Sequence, residues 1–599
     1  MSYLQKLGMG EANYDLKPYI PVKGYERQCW TDWSSIGTEL KRSIDALGKN
    51  KVVVAIECYS GIIEEEVVPA LQAALQADIW IGTEKDSFKA PEEIDDLLAP
   101  ELGGDDPIFG RITRLSLKDY LDAGKVEKIQ KGIQRSNTGM TVIYGPAALL
   151  CCEAPDLVVY ADMARWEAQV RQRDNKISNL GVDNKELKAS LQYKRSFFID
   201  WRACDKLKRA TFDQWDYLLD TCAEGEPKLI TGDAFRAGLE QATKQPFRVV
   251  PFFDPGVWGG QWMREICQLP KDKPNYAWCF DCVPEENSLL LGFGETRVEI
   301  PSINLVFRHP DALLGEPVHG MFGADFPIRF DFLDTMEGQN LSLQVHPTVD
   351  YAYEHFGLRY TQDESYYILD AGENAEVYLG LADDVDPEAM LADLKTASED
   401  PSKPFPDKEH VARFPAKKHD HFLIPAGTCH CSGSESMVLE ISHTPYIFTF
   451  KMWDWDRVDL NGLPRPINLE RGTVNIKWER NKTWAAKHLV NRKILVAEGD
   501  GWREEHTGLY ESEFIETRRH WFTKSVEHDS GGHSVNVLNL VEGIEAIVES
   551  PTGAFEPFIV HYAETFIVPA AVGAYTIRPY GKSEGKECAT LKAFIRIRA

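Results

Sequence analysis

Residues Leu341 to Leu381 read LSLQVHPTVDYAYEHFGLRYTQDESYYILDAGENAEVYLGL. Polar and apolar side chains alternate at its start, so Ser342, Gln344 and His346 share one face of a strand, with Leu341, Leu343 and Val345 on the other. Pro347 to Phe356 reads as a turn and helix, and a second strand carries Glu364 just ahead of the apolar run Tyr366 to Leu369. Downstream, Phe422 to His430 reads FLIPAGTCH, a strand, a Pro/Gly turn and a new strand that opens on His430. Strands that turn ligand-type side chains toward one interior suit a divalent metal in a small β-barrel, with Gln344, His346, Glu364 and His430 as its ligands. Each of these residues alone is most often a surface or hydrogen-bonded side chain. The set gains weight because its three contexts follow one another in order.

The chain has 599 residues, enough for about three to five domains' worth of core. Hydrophobic content of 43% is that of a globular protein. Lys and Arg number 66 against 93 Asp and Glu, a net charge of −27 that disfavours nucleic acid and anionic membranes as partners. The 12 Cys form no paired framework, which fits free thiols in a reducing compartment. No cationic-then-apolar leader and no membrane-length apolar run is present, so a cytoplasmic protein is expected.

Along the chain, Trp30 and Trp33 are expected to seat a short segment on the next domain. Strands are predicted at Lys51 to Ile56, from Ile79, at Thr141 to Gly145, at Leu157 to Tyr160 and at Lys228 to Ile230, with helices at Glu64 to Ala77 and Met163 to Asp174. This alternation predicts a parallel α/β sheet. From Phe252 on, turn residues and short alternating runs indicate an all-β architecture, interrupted by an acidic helical insertion over Asp383 to Lys408. The expected domains are 1–244, α/β; 245–489, a first barrel with the metal site and the insertion; and 490–599, a second barrel. His520, His528, His533 and His561 of the last region have no metal-ligand spacing, so it is assigned to packing and closure.

The C-terminal part resembles type I mannose-6-phosphate isomerases, zinc-dependent double-cupin enzymes. The resemblance is carried by LSLQVHP, by Glu364 with YIL and YLGL after it, and by PAGT-x-H. Val257 to Gly260, Phe326 to Ile328, Met437 to Glu440 and Glu564 to Ala570 extend it over roughly residues 245–599. It implies one Zn2+ on the four residues above and interconversion of mannose 6-phosphate and fructose 6-phosphate. Three basic family positions differ here. Gln362 and Asp331 stand where the family has Lys, and Lys451 stands for its catalytic Arg. Lys451 is accordingly the expected catalytic cation, unless it merely solvates the outer face of its strand. Arg329, Asp331 and Gln362 are the expected substrate contacts.

The N-terminal part resembles a uridine-kinase-like P-loop fold through the strand-turn-helix at Val52 to Val67, VIYGPAAL, and Tyr160 to Asp162 with Arg171 to Asp174. In place of the phosphate loop it reads ECYSGIIEEE, without the gripping Lys and with Glu64 to Glu66 where phosphate would approach, so a degenerate domain that does not bind ATP is expected. Arg171 and Arg173 are read either as an anion site or as a solvated helix face. Three functions stay open: a sugar-phosphate isomerase; a metal cupin acting on a different, possibly unphosphorylated, sugar; and a non-catalytic carbohydrate sensor. A small-molecule sugar partner is common to all three, and a homo-oligomer is compatible with each.

Overall fold

The apolar runs Lys51–Cys58, Gly139–Gly145 and Leu157–Asp162 lie side by side in one sheet of a computed structural model that describes all residues but 1, 105, 445, 461, 463, 464, 509, 511, 598 and 599. Their near-continuous Val and Ile content follows from burial between two layers of helices. The sheet has seven strands in the order Cys29–Trp30, Lys228–Thr231, Tyr217–Asp220, Leu157–Asp162, Lys51–Cys58, Gly139–Gly145 and Ile79–Gly82. The strands from Tyr217–Asp220 to Ile79–Gly82 are parallel, while Lys228–Thr231 and Cys29–Trp30 are antiparallel to their neighbours. Trp30 thus belongs to an edge strand. Trp33 opens the helix Trp33–Ala46, capped by Asp32 accepting from the Ser35 N–H at 2.8 Å, so both are part of this domain and do more than seat a segment on it.

Two barrels follow, each made of two facing sheets. In the first, a six-stranded sheet places Glu364–Ala371 between His421–Ile424 and Ser436–Ser442. Opposite it, a five-stranded sheet places Leu343–Val345 between His430–Ser432 and Phe450–Trp453. The insertion forms the helix Pro387–Glu399, with Asp386 as its N-cap. The second barrel joins a six-stranded sheet, including Ile515–Phe522 and Cys588–Ile595, to a four-stranded one, including Val526–Asp529 and Ala574–Pro579.

The chain's start and the α/β part are bound to the barrels by buried polar contacts. Ile20–Pro21 pairs in parallel with Ser288–Phe293, and Tyr14 Oη donates to Asp281 at 2.5 Å. Lys208 Nζ meets Asp162 Oδ1 at 2.7 Å, both side chains being almost wholly buried, and Asn304 donates to Asp162 Oδ2 at 2.7 Å. Removing one partner of a buried pair strands the other charge. Asp162→Ala is therefore expected to destabilise the α/β part by about 3–5 kcal/mol. The midpoint of its urea transition reads this, and Lys208→Met combined with Asp162→Ala should recover part of the loss.

Candidate metal centre

Leu343–Val345 and His430–Ser432 are hydrogen-bonded neighbours in which Gln344 and His430 are directly opposed. Glu364 opens the strand on the opposite sheet, and the three elements converge in the barrel interior. One ligand atom each of His346, Glu364 and His430 lies within 4.8 Å of the others. His346 Nε2 is 3.0 Å from Glu364 Oε2, and His430 Nε2 is 2.9 Å from Glu364 Oε1. Gln344 Nε2 stands 3.2 Å from His430 Nε2. Turning that carboxamide over would present its oxygen instead. Gln344, His346, Glu364 and His430 thus come together, while the flanking Cys429 and Cys431 are buried free thiols outside the cluster.

The surroundings fix how the imidazoles face. His346 Nδ1 is 2.9 Å from the Phe448 carbonyl and His430 Nδ1 is 2.8 Å from the Thr428 carbonyl, so each Nδ1–H donates outward and each Nε2 lone pair points at Glu364. Lone pairs facing a carboxylate repel it unless a cation lies between. His346 Nε2 and Glu364 Oε1 are indeed buried without a hydrogen-bond partner. Burial opposes ionisation of Glu364, yet His346 and His430 hold its carboxyl well below the usual range. Burial disfavours charged imidazole at both histidines; Glu364 overcomes it at His346 and not at His430. Two imidazoles, a carboxylate and a carboxamide fit a divalent ion of the zinc type.

A cavity of about 290 Å³ adjoins this cluster, lined among others by Arg329, Asp331, Gln344, Gln362, Glu440 and Lys451. Lys451 is the cross-strand partner of Gln344, which puts both side chains on one face. Its amine is pushed down to about 8, first by burial and then by Arg465. Gln362 has both amide ends engaged: Nε2 donates to Glu364 Oε2 at 2.9 Å, and Oε1 accepts from the Phe448 N–H at 3.1 Å. It orients the ligand carboxylate rather than presenting a free amide to substrate. Arg329 donates to the Thr444 carbonyl at 2.9 Å. Asp331 lies directly across from Glu440, and burial raises both carboxyls above the usual range. Sequence reasoning gave Glu440 no role. The available signal was a lone carboxylate in the apolar strand Ser436–Ser442.

The second candidate site closes on inspection. Arg171 is buried, donating to the carbonyls of Gly61, Thr221 and Cys222, and Arg173 forms a fork with Asp254 at 3.0 Å for each bond. Arg171 is therefore neither a solvated face nor a free anion site, while Arg173 is exposed to solvent with its guanidinium already paired. Glu57 takes the N–H groups of Ala147 and Leu149, and the adjoining hollow is lined by Glu64, Glu65 and Glu84. Lys176 and Lys185 line the same hollow but pair with Glu224 at 2.5 Å and Glu65 at 2.6 Å, so among the described residues it offers polyphosphate no unpaired cation.

The chain is thus a multidomain protein in which an α/β part is joined to two β-barrels, the first of which carries a candidate metal centre. Residues 32–244 match a family model described as a domain of unknown function (DUF8485), and this match gives the α/β part no kinase kinship. Curated relatives include mannose-6-phosphate isomerase ManA of Bacillus subtilis, 26% identical over 235 residues, 38% of this chain and 67% of that protein. Mannose-6-phosphate isomerase of Streptococcus mutans is 27% identical over 248 residues, 40% of this chain and 72% of that one. Among solved structures, mannose 6-phosphate isomerase from Bacillus subtilis overlays 58% of this chain and 99% of its own at 20% identity, TM-score 0.47. Among the described residues no helix is long and apolar enough to cross a membrane.

Proposed function

We propose that the protein is a metal-dependent aldose–ketose isomerase that interconverts mannose 6-phosphate and fructose 6-phosphate. The observation that carries this reading is the facing of His346 Nε2, His430 Nε2 and Glu364 toward one point beside a cavity. The relatives that bear the isomerase name support it. A bound zinc ion would polarise the sugar's carbonyl and neighbouring hydroxyl. Isomerisation moves one carbon-bound proton between C2 and C1 and one hydroxyl proton between O2 and O1, with no outside oxidant or reductant. The opposed carboxyls of Asp331 and Glu440, both raised by burial above the usual carboxylate range, can take up and return the carbon-bound proton. Lys451 supplies positive charge where negative charge develops on oxygen.

One observation favours the second reading, an unphosphorylated sugar. Arg465 pairs with Asp454 at 2.7 Å, while Arg329 gives one N–H to the Thr444 carbonyl. Lys451 and the rest of the Arg329 guanidinium share the cavity with the carboxyls of Asp331 and Glu440, surroundings that suit a neutral sugar better than a phosphate dianion. The α/β part we read as a non-catalytic wall of the cavity.

Zinc-loaded protein assayed on mannose 6-phosphate and on free mannose side by side decides between the readings. Interconversion that stops with chelator and returns with zinc is expected for one of them, and failure on both would remove the isomerase reading.

A further inference from the structure

The cavity beside the ligand cluster does not end at the barrel. Pro107, Ile108, Ser190 and Tyr193 of the α/β part form one of its walls. Beyond them lies a second chamber of about 290 Å³, which shares Ser190, Tyr193, Trp278, Phe280 and Ile447 with the first. Its own walls are Trp166, Gln169, Gln172, Arg173, Ala189, Asp254 and Glu286. Two adjoining spaces of this size together fall within the range, about 300–1,000 Å³, of small-molecule sites.

The lining states what the second chamber suits. Trp166 is sandwiched between Phe252, at 3.9 Å between ring centroids, and the Arg173 guanidinium, at 4.8 Å, while Phe280, which lines both chambers and stacks on Phe252 at 4.6 Å, supplies the flat aromatic face of the wall. The chamber's charges are spent: Arg173 is forked to Asp254, and Glu286 accepts from Gln169 Nε2 at 3.1 Å and Tyr193 Oη at 2.9 Å. Gln172 is 2% exposed, and while its Nε2 donates to Ser196 its Oε1 is buried with no partner; Ser190 Oγ is in the same state. Aromatic faces with neutral, unfilled hydrogen-bonding groups match a pyranose ring, whose C–H face stacks and whose hydroxyls bond. A phosphate would find no unpaired cation here.

We infer that the chamber is a subsite for a second, uncharged sugar ring, so that the site also takes a glycosyl-extended aldose whose reducing end lies at the ligand cluster. This rests on the isomerase reading for which end is reducing, but the subsite itself does not. It also gives the domain of unknown function a task, because Ser190, Tyr193 and Trp166 all come from it.

Calorimetry on the zinc-loaded full chain tests it, with a β-1,4-linked mannose disaccharide against mannose as probes. The disaccharide is expected to bind about tenfold more tightly, the worth of one good aromatic stacking contact. Ala189→Trp, which fills the chamber, and Phe280→Ala, which removes its platform, should each erase that preference. Equal affinities in the unaltered protein, or a preference that survives Ala189→Trp in a folded variant, would overturn the subsite. Turnover measured in parallel separates the two readings: sugar binding with no isomerisation of any probe removes the isomerase and leaves the subsite standing.

Discussion

His430→Ala is expected to leave the protein folded, to weaken metal retention by at least about two orders of magnitude and to abolish any isomerase activity. Three features make the loss large. His430 is fully buried, its Nδ1 is held by the Thr428 carbonyl, and its Nε2 is 2.9 Å from Glu364 Oε1. Removing the imidazole leaves a buried carboxylate with one fewer partner, and water entering the space cannot restore the direction of the lost lone pair. Metal content of dialysed protein gives the first readout. Turnover with added zinc gives the second. A variant that keeps its metal at the unaltered level would take His430 out of the ligand set.

Lys451→Ala should lower turnover by about two orders of magnitude, the usual cost of removing a group that stabilises developing charge. Lys451→Arg should retain part of it, since the charge survives while the point geometry of the ammonium does not. The pH dependence separates charge from packing. A lysine pushed down to about 8 is charged below that value and neutral above it, so activity should fall as pH rises through about 8 in the unaltered protein. An arginine stays charged over that range, so the Lys451→Arg variant should show no such fall. Full activity in the alanine variant would assign the charge to another residue.

The residues of the candidate metal centre were legible in sequence because a strand's period of two fixes which side chains share a face, and a Pro/Gly turn marks where His430 begins a new strand. The outward face considered for Lys451 is excluded by register, since its partner across the ladder is Gln344. Register is a long-range fact, and no local pattern around Phe450–Trp453 contains it. The pairing of Asp331 with Glu440 was hidden for the same reason: 109 positions separate two carboxylates that the sheet sets face to face. Arg171 was misread because its helix, Arg165–Arg173, has a strongly polar composition, the usual mark of a solvated element. Its guanidinium instead satisfies three carbonyls in the interior. The wall that Tyr193 and Ser190 supply to the cavity could not be read at all. It exists only where two domains meet.

The central claim is one divalent ion held by Gln344, His346, Glu364 and His430. X-ray absorption at the zinc edge of the purified chain measures it most directly. The expected spectrum shows a shell of nitrogen and oxygen alone at about 2.0–2.2 Å, with imidazole scattering from two histidines and one zinc per chain. A sulfur shell at about 2.3 Å would move the ion to Cys429 or Cys431, and would contradict the claim.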